Sequence, residues 1–252
     1  MPRLMDTEEV IQQTGPGAFQ FSAIRVENLG ATEYTLVTMV IDVSGSVIGF
    51  AHQLLQTLIS VITACRKNAR AENLLLRYIT FNHNIIEEHG FRLLNDIDIA
   101  KDYIELKPDG MTALFDATYD AVGATVEYSS RLVNDYEFDV NGIVIIVTDG
   151  MNNRGSMTPK SIKDKVDAAL LHEEIESLIT ILVQLKDANS PYSAEVTQHL
   201  KTFYEDANLT QHVDIGDATP EKLAKLAQFV SQSISSQSQS LGTGSASQSL
   251  TF

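Results

Sequence analysis

The 252-residue chain has a single cysteine, Cys65, so no disulfide can form within it. One isolated thiol fits a reducing compartment. Basic residues are scarce as well: 18 Lys and Arg stand against 33 Asp and Glu, a formal charge of −15. That balance argues against nucleic acid, because such binding relies on cations that neutralise phosphates. It disfavours anionic membrane surfaces for the same reason. No run reaches the ~18 apolar residues that a membrane helix requires. The N-terminal MPRLMDTEEV has no apolar core after its Arg, so no secretory signal is expected. A cytoplasmic protein is the expectation.

Several catalytic signatures are also missing. The residue two before Ser44 is Asp42, not the Gly of a GxSxG elbow. A DxD phosphatase motif fails because Ser44 stands at its second position. Neither a GxxxxGK[ST] phosphate loop nor a GxGxxG dinucleotide loop is present. No pair among His52, His83, His89, His172, His199 and His212 has zinc spacing. No internal repeat is visible.

What is there alternates between two periods. Leu36–Ile41 is a short, largely apolar strand. Ala51, Leu54, Leu55, Leu58, Val61, Ile62 and Cys65 then recur at helical spacing. Cys65 on that face reads as a buried, inert thiol. Leu74–Phe81 and Ile85–Phe91 form a hairpin around Asn82-His83-Asn84. Ala113–Tyr128 is helical, with Leu114, Ala117, Ala121 and Val122 inward. Gly142–Thr148 has no alternation, as expected of a central parallel strand buried on both faces. Thr158 and Pro159 open a helix running to about Glu174. Leu178–Leu185, Ala194–Asp206 and His212–Ile215 read as strand, helix and strand, and a final helix starts at Ala218-Thr219-Pro220. Alternation of this kind gives an α/β, Rossmann-like three-layer sandwich: a mainly parallel central sheet with helices on both faces. Phe19–Val26 is a weakly alternating extra edge strand. Three segments are expected: a flexible N-terminal stretch 1–17 ending in the Gly15-Pro16-Gly17 turn, a single domain 18–230 with its core at 34–230, and a Ser/Gln-rich flexible tail 231–252.

In open parallel sheets, ligands bind beyond the carboxyl ends of strands. Three loops at those ends carry the candidate chemistry: Asp42-Val43-Ser44-Gly45-Ser46, Asp109-Gly110-Met111-Thr112-Ala113-Leu114 and Thr148-Asp149-Gly150. They supply two carboxylates and three hydroxyls and neither Cys nor His, a donor set for Mg²⁺ or Mn²⁺. Gly45 eases the bend that turns positions 42, 44 and 46 toward one point. Asp42 and Asp149 can bind directly or through water. Two carboxylates and one divalent ion sum to zero, which leaves the ion able to accept an outside carboxylate. No general base is evident.

These loops resemble those of the von Willebrand factor type A (VWA) domain family. Asp42-Val43-Ser44-Gly45-Ser46 matches its DxSxS motif, and the Thr112-Ala113-Leu114-Phe115-Asp116-Ala117 and Asp149-Gly150 segments match its other two metal loops, over roughly Tyr34–Val230. The resemblance implies a metal-ion-dependent adhesion site (MIDAS) at Asp42, Ser44, Ser46, Thr112 and Asp149, and a sheet with one antiparallel edge strand, for which Ile85–Phe91 is the candidate. It also implies a protein partner bound through the metal and a final helix able to shift on binding. An accessory role in bacterial or phage stress and defence systems, or beside AAA+ ATPases, rests on analogy alone. The family often has two glycines before the metal-loop Thr; here Gly110 and Met111 stand there. Arg154 reads either as a partner contact or as a solvated loop residue, and Asp116 either as support for the site or as a helix-surface charge. Two other functions stay open: a metal-dependent phosphoester hydrolase with Asp109 or Asp116 as base, and a structural assembly subunit.

Overall fold

The computed structural model describes residues 7–13, 18–186, 192–243, 250 and 252. In chain order the elements are β1 (Glu8–Gln13), β2 (Phe19–Ile24), β3 (Glu33–Asp42), α1 (Ala51–Cys65), β4 (Leu74–Phe81), β5 (Ile85–Leu93), α2 (Ile99–Asp102) and α3 (Leu114–Tyr136). They continue with β6 (Asp139–Thr148), α4 (Pro159–Leu171), β7 (Ser177–Lys186), α5 (Ser193–Asp206), β8 (Gln211–Asp217) and α6 (Pro220–Thr243). One eight-stranded sheet has the order β1-β2-β5-β4-β3-β6-β7-β8. Strands β4, β3, β6, β7 and β8 run parallel.

The central strands are apolar on both faces because both faces are covered. Ile143, Ile145 and Val147 of β6 point into one core with Val37, Met39 and Ile41 of β3, beneath α1 and α6. Val144 and Ile146 point into the opposite core, under α3, α4 and α5. The inward positions read from the sequence, Leu114, Ala117, Ala121 and Val122, are fully buried there. Cys65 is buried against α1's core, and burial pushes its thiol up to about 12, which keeps it protonated and unreactive. Thr158 caps α4 with Ser161 in a reciprocal capping box, and Pro159 takes the first turn. That helix ends at Leu171 rather than near Glu174, where Glu173 turns left-handed at φ 55°.

Three expectations are corrected. Strand β5 is antiparallel to β4 as the hairpin requires, but it is not the edge; β2 lies beside it, parallel, and β1 pairs antiparallel with β2 to form the outer strand. The close approach of β2 depends on Gly90, where a Cβ would meet the Ser22 carbonyl oxygen at 1.9 Å. The ladder between β2 and β5 is short, and the Glu87 carboxylate supplements it by accepting from the Ser22 backbone N–H (2.9 Å) and hydroxyl (2.7 Å).

The segment 1–17, expected to be flexible, contains β1. Its sequence EEVIQQ buries a single large apolar side chain, Ile11. The strand is held by its six-residue pairing with β2 and by the buried Glu8–Arg92 ion pair. The Gly15-Pro16-Gly17 turn lies outside the described residues.

The tail expected from Ser231 is helical through Thr243. Ile234 and Leu241 extend the apolar stripe of Leu223, Leu226 and Val230. Gln237 ties this stretch to the sheet: Asn141 donates to the Gln237 carbonyl (2.7 Å), and the Gln237 amide donates to Ser177 Oγ (2.8 Å). Phe252 packs edge-on to Phe229.

Candidate metal centre

Strand β3 sits where the winding of the sheet reverses, with β4 on one side and β6 on the other. The carboxyl ends of β3 and β6 therefore diverge into the crevice where open sheets hold ligands. Asp42 is the last residue of β3 and Thr148 the last of β6. The Thr148 hydroxyl donates to Asp42 Oδ2 at 2.6 Å, and the Ser44 N–H donates to Asp42 Oδ1 at 2.7 Å. The second bond folds the loop so that Ser44 and Ser46 fall on the same side, their hydroxyls 3.2 Å apart. Ser46 Oγ in turn donates to Asp149 Oδ1 at 2.8 Å. Thr112 closes the group: a Cβ on Gly150 would lie 3.4 Å from Thr112 Oγ1 and 3.9 Å from Asp42 Oδ2. The five residues read from the sequence thus converge. Asp42, Ser44, Thr112 and Asp149 are buried, and Ser46 opens to solvent.

The three loops are braced against one another through backbone bonds. The Gly45 N–H donates to the Gly110 carbonyl (3.2 Å), the Asp109 N–H to Val43 (2.9 Å) and the Ala113 N–H to Asn82 (2.7 Å). Two further braces were not legible in the sequence. Asn153 Oδ1 accepts from the Thr112 N–H at 2.8 Å, and Asn152 Oδ1 accepts from the Phe115 N–H at 3.0 Å, satisfying an open donor at the start of α3. Asn152 is itself oriented by His199, whose Nε2 accepts its N–H at 3.2 Å while the ring stacks on Phe115. Burial lowers the His199 pKa, in keeping with a neutral ring that accepts. An Asn pair in a loop is ordinary composition, so nothing in the sequence marked this role.

Asp116 supports the site from behind. Its Oδ1 accepts from the Ser156 N–H (2.9 Å) and the Met157 N–H (2.7 Å), which ties the loop after Asp149 to α3. Gly155 passes over that carboxylate at φ +107°, and a Cβ there would lie 2.5 Å from Asp116 Oδ1. Gly155→Ala is therefore expected to cost about 1–3 kcal/mol, from a left-handed backbone plus displacement of Asp116. Thermal unfolding measures this, and an unchanged midpoint would contradict the brace. Arg154 is exposed on the same loop, and Asp109 is exposed beside Gly110.

The donor set fits a hard divalent cation. Burial raises the pKa of Asp42, opposed by its bonds from Thr148 and Ser44. No ion pair is formed by Asp42 among the described residues, so its charge is buried against neutral donors only. A neighbouring cation is what such a carboxylate needs in order to stay ionised. Among the described residues no group of three or more His, Cys, Asp or Glu side chains is placed to hold a metal; here hydroxyls make up the set. A cleft of about 300 Å³ opens from Ser46, Thr112 and Asp149 toward Met151, Tyr192 and Val196.

No protein-family model matches the chain. No curated protein matches it either. Solved structures do. The fold is similar to that of the PilB minor pilin of Streptococcus sanguinis, with a TM-score of 0.61 at 12% identity over 89% of this chain and 66% of that one. The SpaC pilus adhesin of Lactobacillus rhamnosus GG matches with a TM-score of 0.57 at 9% identity, over 91% of this chain and 34% of the adhesin. Proximal thread matrix protein 1 of the mussel byssus matches with a TM-score of 0.53 at 18% identity, over 81% and 47%. Another structure of that byssus protein, described as having a zinc-occupied MIDAS motif, matches with a TM-score of 0.50 at 16% identity, over 89% and 47%. The chain thus spans between a third and two thirds of the length of these proteins. At such identities the likeness is one of fold: a Rossmann-like α/β sandwich with a mainly parallel central sheet.

Proposed function

We propose that the chain is a divalent-metal-dependent protein-binding module. The observation that carries this is the convergence of Asp42, Ser44, Ser46, Thr112 and Asp149 at the reversal point of the sheet, at the mouth of a cleft. The hydroxyls of Ser44, Ser46 and Thr112, with the carboxylates of Asp42 and Asp149, would hold Mg²⁺ or Mn²⁺. Such an ion, once bound, offers a coordination position to an Asp or Glu of the partner. The names of the similar structures, a pilus adhesin and a matrix protein with a metal-bearing MIDAS, support an interaction role and a divalent ion.

Binding without catalysis is the reading proposed over hydrolysis. Of the two bases considered, Asp116 is engaged by the Ser156 and Met157 amides, and Asp109 is solvent-exposed. Among the described residues no helix is long and apolar enough to cross a membrane. Cytoplasmic residence stays a proposal, tested by fractionation of the native cell.

Calorimetric titration and thermal unfolding after EDTA treatment test the metal. Mg²⁺ or Mn²⁺ at ~100 times its Kd is expected to stabilise the protein by about 2.7 kcal/mol. Asp42→Ala combined with Asp149→Ala is expected to abolish both the heat of binding and the stabilisation. A variant that titrates like the wild type overturns the site. Zn²⁺ in a parallel titration asks whether the hydroxyl-rich set discriminates. Turnover of a generic phosphoester with Mn²⁺, lost in Asp42→Ala, would favour the hydrolase instead.

A further inference from the structure

A second cavity, of about 250 Å³, lies between the β4–β5 hairpin and the segment that follows α2, and shares no lining residue with the cleft at the candidate metal centre. Strand alternation turns Tyr78 and Thr80 of β4 and Ile86 and Glu88 of β5 to one face of the sheet, and Ile104 and Glu105 line the cavity with them. Its mouth is apolar: Ile86 is 50% exposed and Ile104 56%. Its interior is polar. Tyr78 is 2% exposed, with its ring stacked on Tyr103 at 4.8 Å between centroids, and its hydroxyl makes no hydrogen bond among the described residues. A buried hydroxyl left without a partner costs free energy until a ligand supplies one. Burial and the nearby charge of Glu88 raise the Tyr78 pKa, so the phenol stays protonated and its lone pairs stay open to a donor. Glu88 accepts from the Thr80 hydroxyl through Oε1 alone (2.7 Å), and neither Glu88 nor Glu105 forms an ion pair among the described residues. Asp102, by contrast, is engaged by Arg92 and by the Asp98 N–H.

Charge and size narrow the occupant. Three lining side chains are acidic and one, Lys107, is basic, in a chain whose charge of −15 draws cations toward it. Among the described residues no group of three or more carboxylates or imidazoles is placed to hold a metal ion, which favours an organic cation. The volume falls below the ~300–1,000 Å³ of sites for drug-sized ligands and suits one long side chain. A lysine ammonium carries three donors on an aliphatic stem, and the cavity offers three acceptors behind an apolar mouth. We infer that this cavity docks a lysine of a partner protein, its ammonium among Glu88, Glu105 and the Tyr78 hydroxyl and its stem between Ile86 and Ile104. The site is distinct from the metal centre and needs no metal.

NMR titration of the isotope-labelled full chain with Nα-acetyl-lysine methylamide, in EDTA, tests the inference. Saturable shifts are expected at the Tyr78, Glu88 and Ile104 amides. The neutral norleucine analogue should bind at least fivefold more weakly. The lysine analogue should lose as much against Glu88→Gln/Glu105→Gln, which keeps the acceptor for Thr80 and should melt like the wild type. If that variant fails to fold, Ile104→Trp, a change at an exposed position that plugs the mouth, takes its place and should block binding. Tyr78→Phe removes only the hydroxyl and should weaken binding at least twofold. A blocked Gly-Gly-Lys-Gly-Gly peptide should bind at least as tightly as the lysine analogue. Shifts that stay linear in concentration, equal affinity for norleucine, or a folded variant that binds like the wild type overturns the inference. Cadaverine binding tenfold more tightly than the peptide would assign the cavity to free amines and overturn the partner protein. With EDTA present throughout, either failure leaves the metal reading untouched.

Discussion

Arg77→Met is expected to destabilise the protein by about 3–5 kcal/mol, the cost of leaving buried charge without its partner. Arg77 is 1% exposed, on β4 beneath α3. Its Nε donates to Glu87 Oε2 at 2.7 Å, and its Nη2 lies 2.8 Å from Asp120 Oδ1. The guanidinium also stands over the Phe21 ring, 5.8 Å from its centroid. Without the cation, two carboxylates share an apolar space. Burial already raises the Asp120 pKa, opposed by the charge of Arg77. Glu87 also holds β2 through Ser22, so the outer strands loosen with it. In thermal unfolding the loss corresponds to a midpoint lowered by roughly 6–20 °C. The combined Arg77→Met/Glu87→Gln/Asp120→Asn variant removes all three charges and should recover much of the loss. A single variant within 1 kcal/mol of wild type would refute the account.

Acid is expected to weaken the fold through His89, a fully buried imidazole on β5. Its Nδ1 faces the Gly90 carbonyl (2.9 Å) and so carries the proton, while its Nε2 accepts from the Tyr103 hydroxyl (3.1 Å). Burial lowers its pKa to about 4. The Gly90 carbonyl, Asp102 and Glu87 oppose that shift, and the positive charge of Arg92 adds to it. The unfolded chain titrates near ~6.5. A folded value below the unfolded one means that the stability tied to the neutral ring is complete above ~6.5 and is lost as pH falls toward 4. By pH 5 the loss is about 2 kcal/mol. The raised carboxyl pKa of Asp42 works in the opposite sense, so the comparison is made against His89→Gln, which shares it. Urea unfolding at pH 7.5 and pH 5 should show the stability gap between wild type and His89→Gln narrowing by about 2 kcal/mol. A gap that stays constant would exclude His89 as the acid-sensitive group.

The metal loops were legible because their chemistry is local. Asp42, Ser44 and Ser46 lie within one turn of chain, and the Ser44 N–H to Asp42 bond that shapes the loop spans two residues. Helices α1 and α3 were legible because a 3.6-residue period survives any change of partner. Strand β6 was legible because only a strand covered on both faces reads as GIVIIVT. The hydrogen bond from Ser46 to Asp149, across 103 residues, followed only from placing both loops at strand ends of one parallel sheet.

By itself, then, the sequence determined the parallel α/β core, the helix faces and the identity of the converging donors, since each is written in short-range periodicity or in a loop of a few residues. Only the tertiary structure decided the sheet's outer half. Strand β1 is too polar to declare itself, and its place depends on Arg92, 84 residues from Glu8. Gly90 admits β2 by lacking a side chain, a role that shows only once Ser22 is beside it. Likewise the Ser/Gln stretch of α6 is polar by composition, yet Gln237 finds its partners at Asn141 and Ser177 and folds as helix. A polar group is exposed or buried according to whether a distant segment satisfies its hydrogen bonds, and that is settled by the fold rather than by the residues on either side of it.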